Sequence, residues 1–241
     1  MVVESLTRPY PVILPMVVLV LLPPSYIFIA ELVDGRRLHV PEVALDRLIP
    51  LQPAWALVYG SLYLFLIALP VFVVRQKEQI QRTVLAYLAV WITAFVIFLL
   101  YPTKAPRPAD VIGEGFGVWG LRLLYGMDPP YNCFPSIHVA HSFVSALTCY
   151  RVHRRVGIGA GLCASLVSVS TLFTKQHYVL DVVAGIFLAC VAYVVFLRDS
   201  RGEEIPELDR RVAPVFALGI IGIIGLVVAG FWLAYRISEK A

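Results

Sequence analysis

Charged residues are scarce in this chain. Asp, Glu, Lys and Arg make up only 15% of its 241 residues, whereas 59% are hydrophobic and the mean hydropathy is +0.80. Soluble domains usually have an apolar share of roughly 45–50%. This composition excludes a soluble globular protein, and we find no internal repeat and no low-complexity tract.

Cysteine motifs and nucleotide-binding loops are also missing. The four cysteines, at 133, 149, 163 and 190, form no CxxC pair, so neither a disulfide framework nor a zinc knuckle is indicated. The glycine-rich stretch "GEGFGVWG" is not followed by Gly-Lys-Ser/Thr, which excludes a phosphate-binding P-loop. We expect this stretch to be a flexible or re-entrant connection.

Long runs with few or no charged residues dominate what is present. A spanning helix needs about 20 apolar residues, and a lipid bilayer admits only helices or closed barrels. The sequence therefore predicts an all-α, polytopic membrane helix bundle, with a short interfacial helix near residues 41–49. The predicted spans cover residues 11–30, 54–74, 83–101, 134–150, 156–174, 178–197 and 212–235.

Positive residues cluster after the second, fourth and sixth runs, which places these clusters on one side of the membrane. The positive-inside rule predicts that this side is cytoplasmic. Loops 102–133 and 175–177 then face outward, so we expect a protein of the plasma (inner) membrane with an extracytoplasmic site. The clusters are Arg75, Lys77 and Arg82; Arg151, Arg154 and Arg155; and Arg198, Arg201, Arg210 and Arg211.

A histidine and an aspartate stand together in "HYVLD". His177 and Asp181 are four residues apart, so on a helix they share one face. The carboxylate can hold one imidazole nitrogen and leave the other with its lone pair outward, as a nucleophile requires. A packed structural pair is the alternative, but ionisable residues within membrane helices are usually functional.

The stretch "FPSIH" predicts a helix start beside this pair. Pro135 suits a first helical turn, and the amides that follow would form an anion site with the Ser136 hydroxyl. His138 lies just inside the helix. His141, three residues on, is as well explained by packing as by a role.

Two cations follow the third run in "YPTKAPRP". Lys104 and Arg107 share the predicted outer side with the histidines, and prolines stiffen the backbone around them. Surface anchoring is the usual role of such cations. Here, however, they predict a phosphate clamp, in which Arg107 binds bidentately and Lys104 acts as a point charge.

Two other functions fit these residues. His138, His141, His177 and Asp181 could supply three or four zinc ligands, although nearby cations oppose a dication. A transporter or scaffold that binds an anionic lipid without chemistry is the second alternative. Transporter sites lie near the midplane, whereas these residues lie near one surface.

The three stretches resemble the motifs of the type-2 phosphatidic acid phosphatase superfamily: K-x6-R-P, P-S-G-H and S-R-x5-H-x3-D. This chain has "KAPRP", "PSIH" and "STLFTKQHYVLD" in the corresponding places. The resemblance implies a six-helix catalytic core over residues 1–197. Residues 198–241 would add a charged connector and a seventh transmembrane helix.

The resemblance also implies roles for single residues. His177 matches the nucleophile that forms a phosphohistidine, Asp181 its orienting partner, and His138 the acid and base. Ser136, Lys104 and Arg107 match phosphate-binding positions. The implied substrate is a lipid phosphate in the membrane rather than a nucleic acid, and no metal or other cofactor is needed.

The motifs depart from the family pattern at three places. Only two residues separate Lys104 from Arg107, Ile137 replaces a glycine, and Thr171 replaces an arginine for which Lys175 is a candidate substitute. These departures resemble the branch of inositol phosphorylceramide synthases, with motifs such as "FPSLH" and "HHYLVD". Since fewer cations suit a singly charged diester, head-group transfer to an alcohol stands beside monoester hydrolysis as an expectation.

Overall fold

The computed structural model describes residues 1–11, 13–33, 35–198 and 205–239, and this part of the chain contains helices but no β-strand. The helices are α1 Val2–Thr7, α2 Leu14–Val33, α3 Ala44–Leu48, α4 Trp55–Val73, α5 Lys77–Leu100, α6 Phe116–Met127, α7 Ile137–Val152, α8 Arg154–Phe173, α9 Val179–Ala192 and α10 Glu207–Ser238. A π-helical turn, Tyr193–Leu197, extends α9.

Six of the described helices are long and apolar enough to cross a membrane: α2, α4, α5, α8, α9 with its π-helical turn, and α10. The chain is therefore an integral membrane protein with a polytopic helical bundle, as the composition predicts. The predicted division at residue 197 stays a prediction, because part of the connector (199–204) lies outside the described residues.

The fourth predicted run forms α7, which differs from the other spans. It has 16 residues, fewer than the ~20 that a bilayer requires. Helices α4, α5, α8 and α9 all pack against it. Ten of its 16 residues are buried, many of them small (Ala, Ser, Cys), so neighbouring backbones approach it closely. This helix is the centre of the bundle.

The stretch "GEGFGVWG", expected to be a flexible or re-entrant connection, begins helix α6 at Phe116, so its second half is helical rather than flexible. Gly117 faces the backbone of Ala54 just before α4, where an added Cβ would lie 3.0 Å from Ala54 Cα. The glycine thus permits close packing of a helix rather than a loop. A glycine-rich sequence cannot distinguish these two uses.

The predicted site residues gather at one end of the bundle, where α5 and α8 end and α7 and α9 begin. Hydrogen bonds tie the loops there: Gln52 N donates to Phe173 O at 2.9 Å, and His39 N donates to Pro102 O at 2.8 Å. The segment after α5 lies between two chain segments, through isolated bridges from Thr103 to His39 and from Lys104 to Tyr131.

The opposite end of the bundle carries cations from the predicted cytoplasmic clusters. Arg75 donates to the carbonyls of Ser5 and Arg8, which docks α1. Arg8 in turn pairs with the buried carboxylate of Asp209 at the start of α10. The two ends of the bundle therefore differ in charge and in chemistry.

Helices α7 and α9 are in close backbone contact at Gly185. A Cβ added to this glycine would lie 2.6 Å from the carbonyl oxygen of Ser136 and 3.1 Å from Cβ of Val139. Real Cβ atoms do not approach a backbone oxygen so closely. Glycine at 185 therefore sets the distance between the two helices that carry the site.

We expect Gly185→Ala to destabilise the protein by roughly 1–3 kcal/mol, because it overpacks a rigid backbone contact. The measurement is thermal unfolding of the detergent-purified protein. Gly222→Ala, in α10 with nothing within 4 Å of the added Cβ, is the matched control. Equal midpoints for the two variants would contradict this account of the α7–α9 contact.

Candidate active site

The turn between α8 and α9 carries His177. The carbonyl of Thr171, in the last turn of α8, accepts from Gln176 N at 2.9 Å and from His177 N at 3.3 Å. Lys175 has a left-handed backbone with φ of 53°, a common way to end a helix. The residue that replaces the motif arginine thus holds the turn through its backbone, and its hydroxyl donates to Ser168 O.

His177 and Asp181 interact as the spacing predicts. His177 Nδ1 lies 3.3 Å from Asp181 Oδ2, which also accepts from Tyr178 N at 2.8 Å, and both side chains are buried. Because the carboxylate accepts hydrogen bonds, Nδ1 of His177 carries the hydrogen. Its Nε2 therefore keeps a lone pair.

That Nε2 faces the second histidine. His138 Nδ1 lies 3.3 Å from His177 Nε2, so the rings from α7 and from the α8–α9 turn are in contact. Tyr59 and Tyr63 of α4 pack edge-on against the His138 ring, with centroids 5.4 and 4.9 Å away. Asp181, His177 and His138 therefore form a continuous series of side-chain contacts. Aromatic packing holds the ring of His138 in place.

Ser136 links the two helices at this point. Its backbone N donates to the carbonyl of Asp181 at 3.1 Å, and its Oγ accepts from Val139 N at 3.3 Å as the cap of α7. The side chain is fully buried. As a cap acceptor, the hydroxyl still has its own hydrogen to donate.

Arg107 lies beside this chain. Its Nη2 donates to Asp128 Oδ2 at 3.1 Å and to the Gln176 side-chain oxygen, and its Nη1 donates to Asp128 O at 2.6 Å. The guanidinium also stacks over Tyr125, with its carbon 4.6 Å from the ring centroid. Burial raises the pKa of Asp128, and the neighbouring Arg107 opposes that rise.

The two lysines of the predicted clamp have other surroundings. Lys175 Nζ donates to the carbonyls of Asp46 and Ile49, at 3.2 and 2.6 Å, which ties the α8–α9 turn to α3. Lys104 pairs through its backbone, and its side chain is exposed. Arg107 is thus the predicted cation whose side chain contacts the residue next to His177.

His141, one turn along α7 from His138, has aromatic surroundings. Its ring is enclosed by Tyr87 and Trp91, with centroids 4.8 and 5.4 Å away. Within the described ranges, no three His, Cys, Asp or Glu side chains are grouped closely enough to hold a metal ion. The four donors considered for zinc therefore do not surround a common point in the described structure.

Sequence reasoning missed three residues at the site: Asp46, Asp128 and Gln176. Asp46 Oδ1 accepts from Val179 N at 2.8 Å, so a carboxylate from α3 caps α9. Asp46 and Asp128 were not identifiable from the sequence, because they are distant in sequence from the residues that they contact. The one available signal for Gln176 was its position directly before His177.

These observations define a helical integral membrane protein with a contacting pair of histidines, an orienting carboxylate and a buried arginine side chain at one end of the bundle. The chain matches the family model of the PAP2 superfamily over residues 39–195, more than half of its length, and therefore belongs to that superfamily. All predicted site residues lie in the matched range, whereas α2 and α10 lie outside it. Membership assigns the protein to a superfamily of phosphatases and phosphotransferases.

A PA-phosphatase related-family protein of Dictyostelium discoideum is 25% identical to this chain over 138 residues. The match covers 51% of this chain and 25% of the relative, so the chain spans about a quarter of that relative's length. No solved structure matches the chain.

We expect Asp46→Ala to lower the free energy of unfolding by roughly 1–3 kcal/mol, since the amides of Val43 and Val179 lose a buried carboxylate acceptor. Thermal unfolding in detergent measures the loss. Asp110→Ala, which removes an exposed carboxylate from the loop after Arg107, is the control. A midpoint for Asp46→Ala as high as that of the control would argue against the capping role.

Proposed function

We propose that this protein cleaves a lipid phosphoester through a phosphohistidine intermediate and transfers the phosphoryl group to water or to an alcohol. The observation that carries the proposal is the Asp181–His177–His138 chain of contacts. It supplies an oriented nucleophile and a neighbouring proton donor at one end of the bundle. Family membership supports a phosphatase or phosphotransferase in general.

In the first half-reaction, Nε2 of His177 attacks phosphorus and the bond from phosphorus to the leaving alcohol breaks. Asp181 keeps the hydrogen on Nδ1 and stabilises the positive charge that develops on the ring. His138 donates a proton to the leaving oxygen. The substrate must enter between the two rings, so their direct contact is exchanged for contacts with phosphorus and with the leaving oxygen.

In the second half-reaction, His138 takes a proton from water or from an acceptor hydroxyl. The oxygen attacks phosphorus and the bond from nitrogen to phosphorus breaks, which restores His177. Arg107 and Ser136 are the donors proposed to meet the phosphoryl oxygens, where removing one donor costs on the order of a hundredfold in rate. Lys104 is proposed as a more distant, exposed cation, and Lys175 as an anchor of the turn that carries His177.

Transfer of a diester head group is a second candidate, as in the inositol phosphorylceramide synthase-like branch. Arg107 is already paired with Asp128, Lys175 binds carbonyls of α3, and Lys104 is exposed. With so little free positive charge, a diester with one negative charge fits better than a monoester with nearly two. This balance favours the diester among the substrates of the proposed reaction.

We also propose that the site faces the extracytoplasmic side of the plasma (inner) membrane. The cations that predict the cytoplasmic side occupy the opposite end of the bundle, where α4 ends and α5 begins. A lipid substrate would then be processed in the outer leaflet.

We expect His177→Ala to lower turnover on the order of 10³-fold or more, because no other group replaces the nucleophile. Turnover is measured on purified protein with a panel of lipid monoesters and diesters, recording phosphate release and lipid products. The covalent intermediate should be trapped as acid-labile phosphohistidine in the wild type and should be absent from the variant.

His141→Phe is the matched control, since it removes a buried histidine of α7 but keeps an aromatic ring between Tyr87 and Trp91. It should retain most of the activity. Full activity in His177→Ala would refute the mechanism. Loss of activity in His141→Phe that parallels inactivation by chelators would instead favour a metal site.

A further inference from the structure

Arg107 and Gln176 have buried hydrogen-bond donors that the described structure leaves without a partner. They are Arg107 Nε and Gln176 Nε2, on side chains that contact each other through Nη2 and the amide oxygen. The Arg107 side chain is 8% exposed and Gln176 2%. Since burying an unpaired donor is costly, two of them beside His177 point to a ligand with several acceptor oxygens.

Asp128 accepts hydrogen bonds from both terminal nitrogens of the Arg107 guanidinium. Its Oδ2 and its backbone carbonyl accept from Nη2 and Nη1, at 3.1 and 2.6 Å. A carboxylate on a guanidinium has the geometry of a bound phosphate, with oxygen acceptors facing paired N–H donors. Asp128 therefore sits where an anionic oxygen of a ligand would bind.

Asp128 is held in this position from a different helix. The hydroxyl of Tyr26, in α2, donates to Asp128 Oδ1 at 3.2 Å and lies 3.3 Å from the carbonyl of Tyr131. The carboxylate is only 18% exposed. A ligand must thus compete with a positioned, partly buried anion.

We propose that Asp128 determines the charge of the phosphate that this site accepts, by neutralising Arg107 until a substrate oxygen takes its place. This inference rests on the proposed function and deepens it. A diester with one negative charge takes the place of the Asp128 carboxylate on Arg107, so the guanidinium is again paired with a single negative charge. A monoester dianion adds a second negative charge near Asp128 and Asp181, where low dielectric strengthens repulsion.

The test compares two small probes on full-length protein in detergent at pH 8: dimethyl phosphate, which carries one charge, and methyl phosphate, which carries nearly two. Binding is measured by calorimetry and by the shift in thermal midpoint, so turnover is not needed. Asp128→Asn keeps the size and the acceptor oxygen of the side chain. We expect it to strengthen methyl phosphate binding roughly tenfold relative to dimethyl phosphate.

Two variants serve as controls. Asp110→Asn removes an exposed charge from the loop between α5 and α6 and should leave the ratio of the two affinities unchanged. Tyr26→Phe frees Asp128 without altering its charge, so both probes should bind more tightly and their ratio should stay constant. A ratio in Asp128→Asn within twofold of the wild type, or no binding of either probe by any variant, would overturn the inference.

The proposed function can fail separately. If His177→Ala keeps full turnover while the probe ratio shifts in Asp128→Asn, the mechanism is wrong but the charge selection stands. If His177→Ala is inactive and the ratio does not shift, the mechanism stands and Asp128 does not select charge.

Discussion

The contact between the first turns of α7 and α9 is the constraint on which the site depends. Ser136 N bonds the carbonyl of Asp181, and Gly185 leaves room for the Ser136 carbonyl one turn further along α9. His138 follows Ser136 by two residues, and His177 precedes Asp181 by four. A backbone contact of this kind positions the rings of His138 and His177 together. It does so without the entropic cost of ordering a long side chain.

The buried carboxylates at this end of the bundle each accept at least one hydrogen bond. Asp181 accepts from His177 and from a helix amide, Asp46 caps α9, and Asp128 pairs with Arg107. In a membrane protein each of these carboxylates would be costly alone. Their pairing explains how a chain with few charges can concentrate so many of them in one buried region.

The helices, the histidine pair and its carboxylate could be predicted from the sequence, because they depend on local patterns. Uncharged runs mark spans, and a spacing of four residues places His177 and Asp181 on one face. The sequence predicted Arg107 as a phosphate-binding cation, but not its contact with Gln176, since the first motif is short. Contacts made by Asp46 and Asp128 join segments far apart in the chain, and no local pattern reports such pairs. The α6 helix was missed because glycine allows both loops and tight packing.

Tyr26 belongs to α2, ahead of the region that matches the superfamily, yet its hydroxyl orients the carboxylate on Arg107. A helix outside the matched range therefore contributes to the electrostatic surroundings of the candidate catalytic centre. Evolution can retune such a centre by exchanging the leading membrane helix while every motif residue stays the same. Relatives with identical motifs but different first helices need not share a substrate.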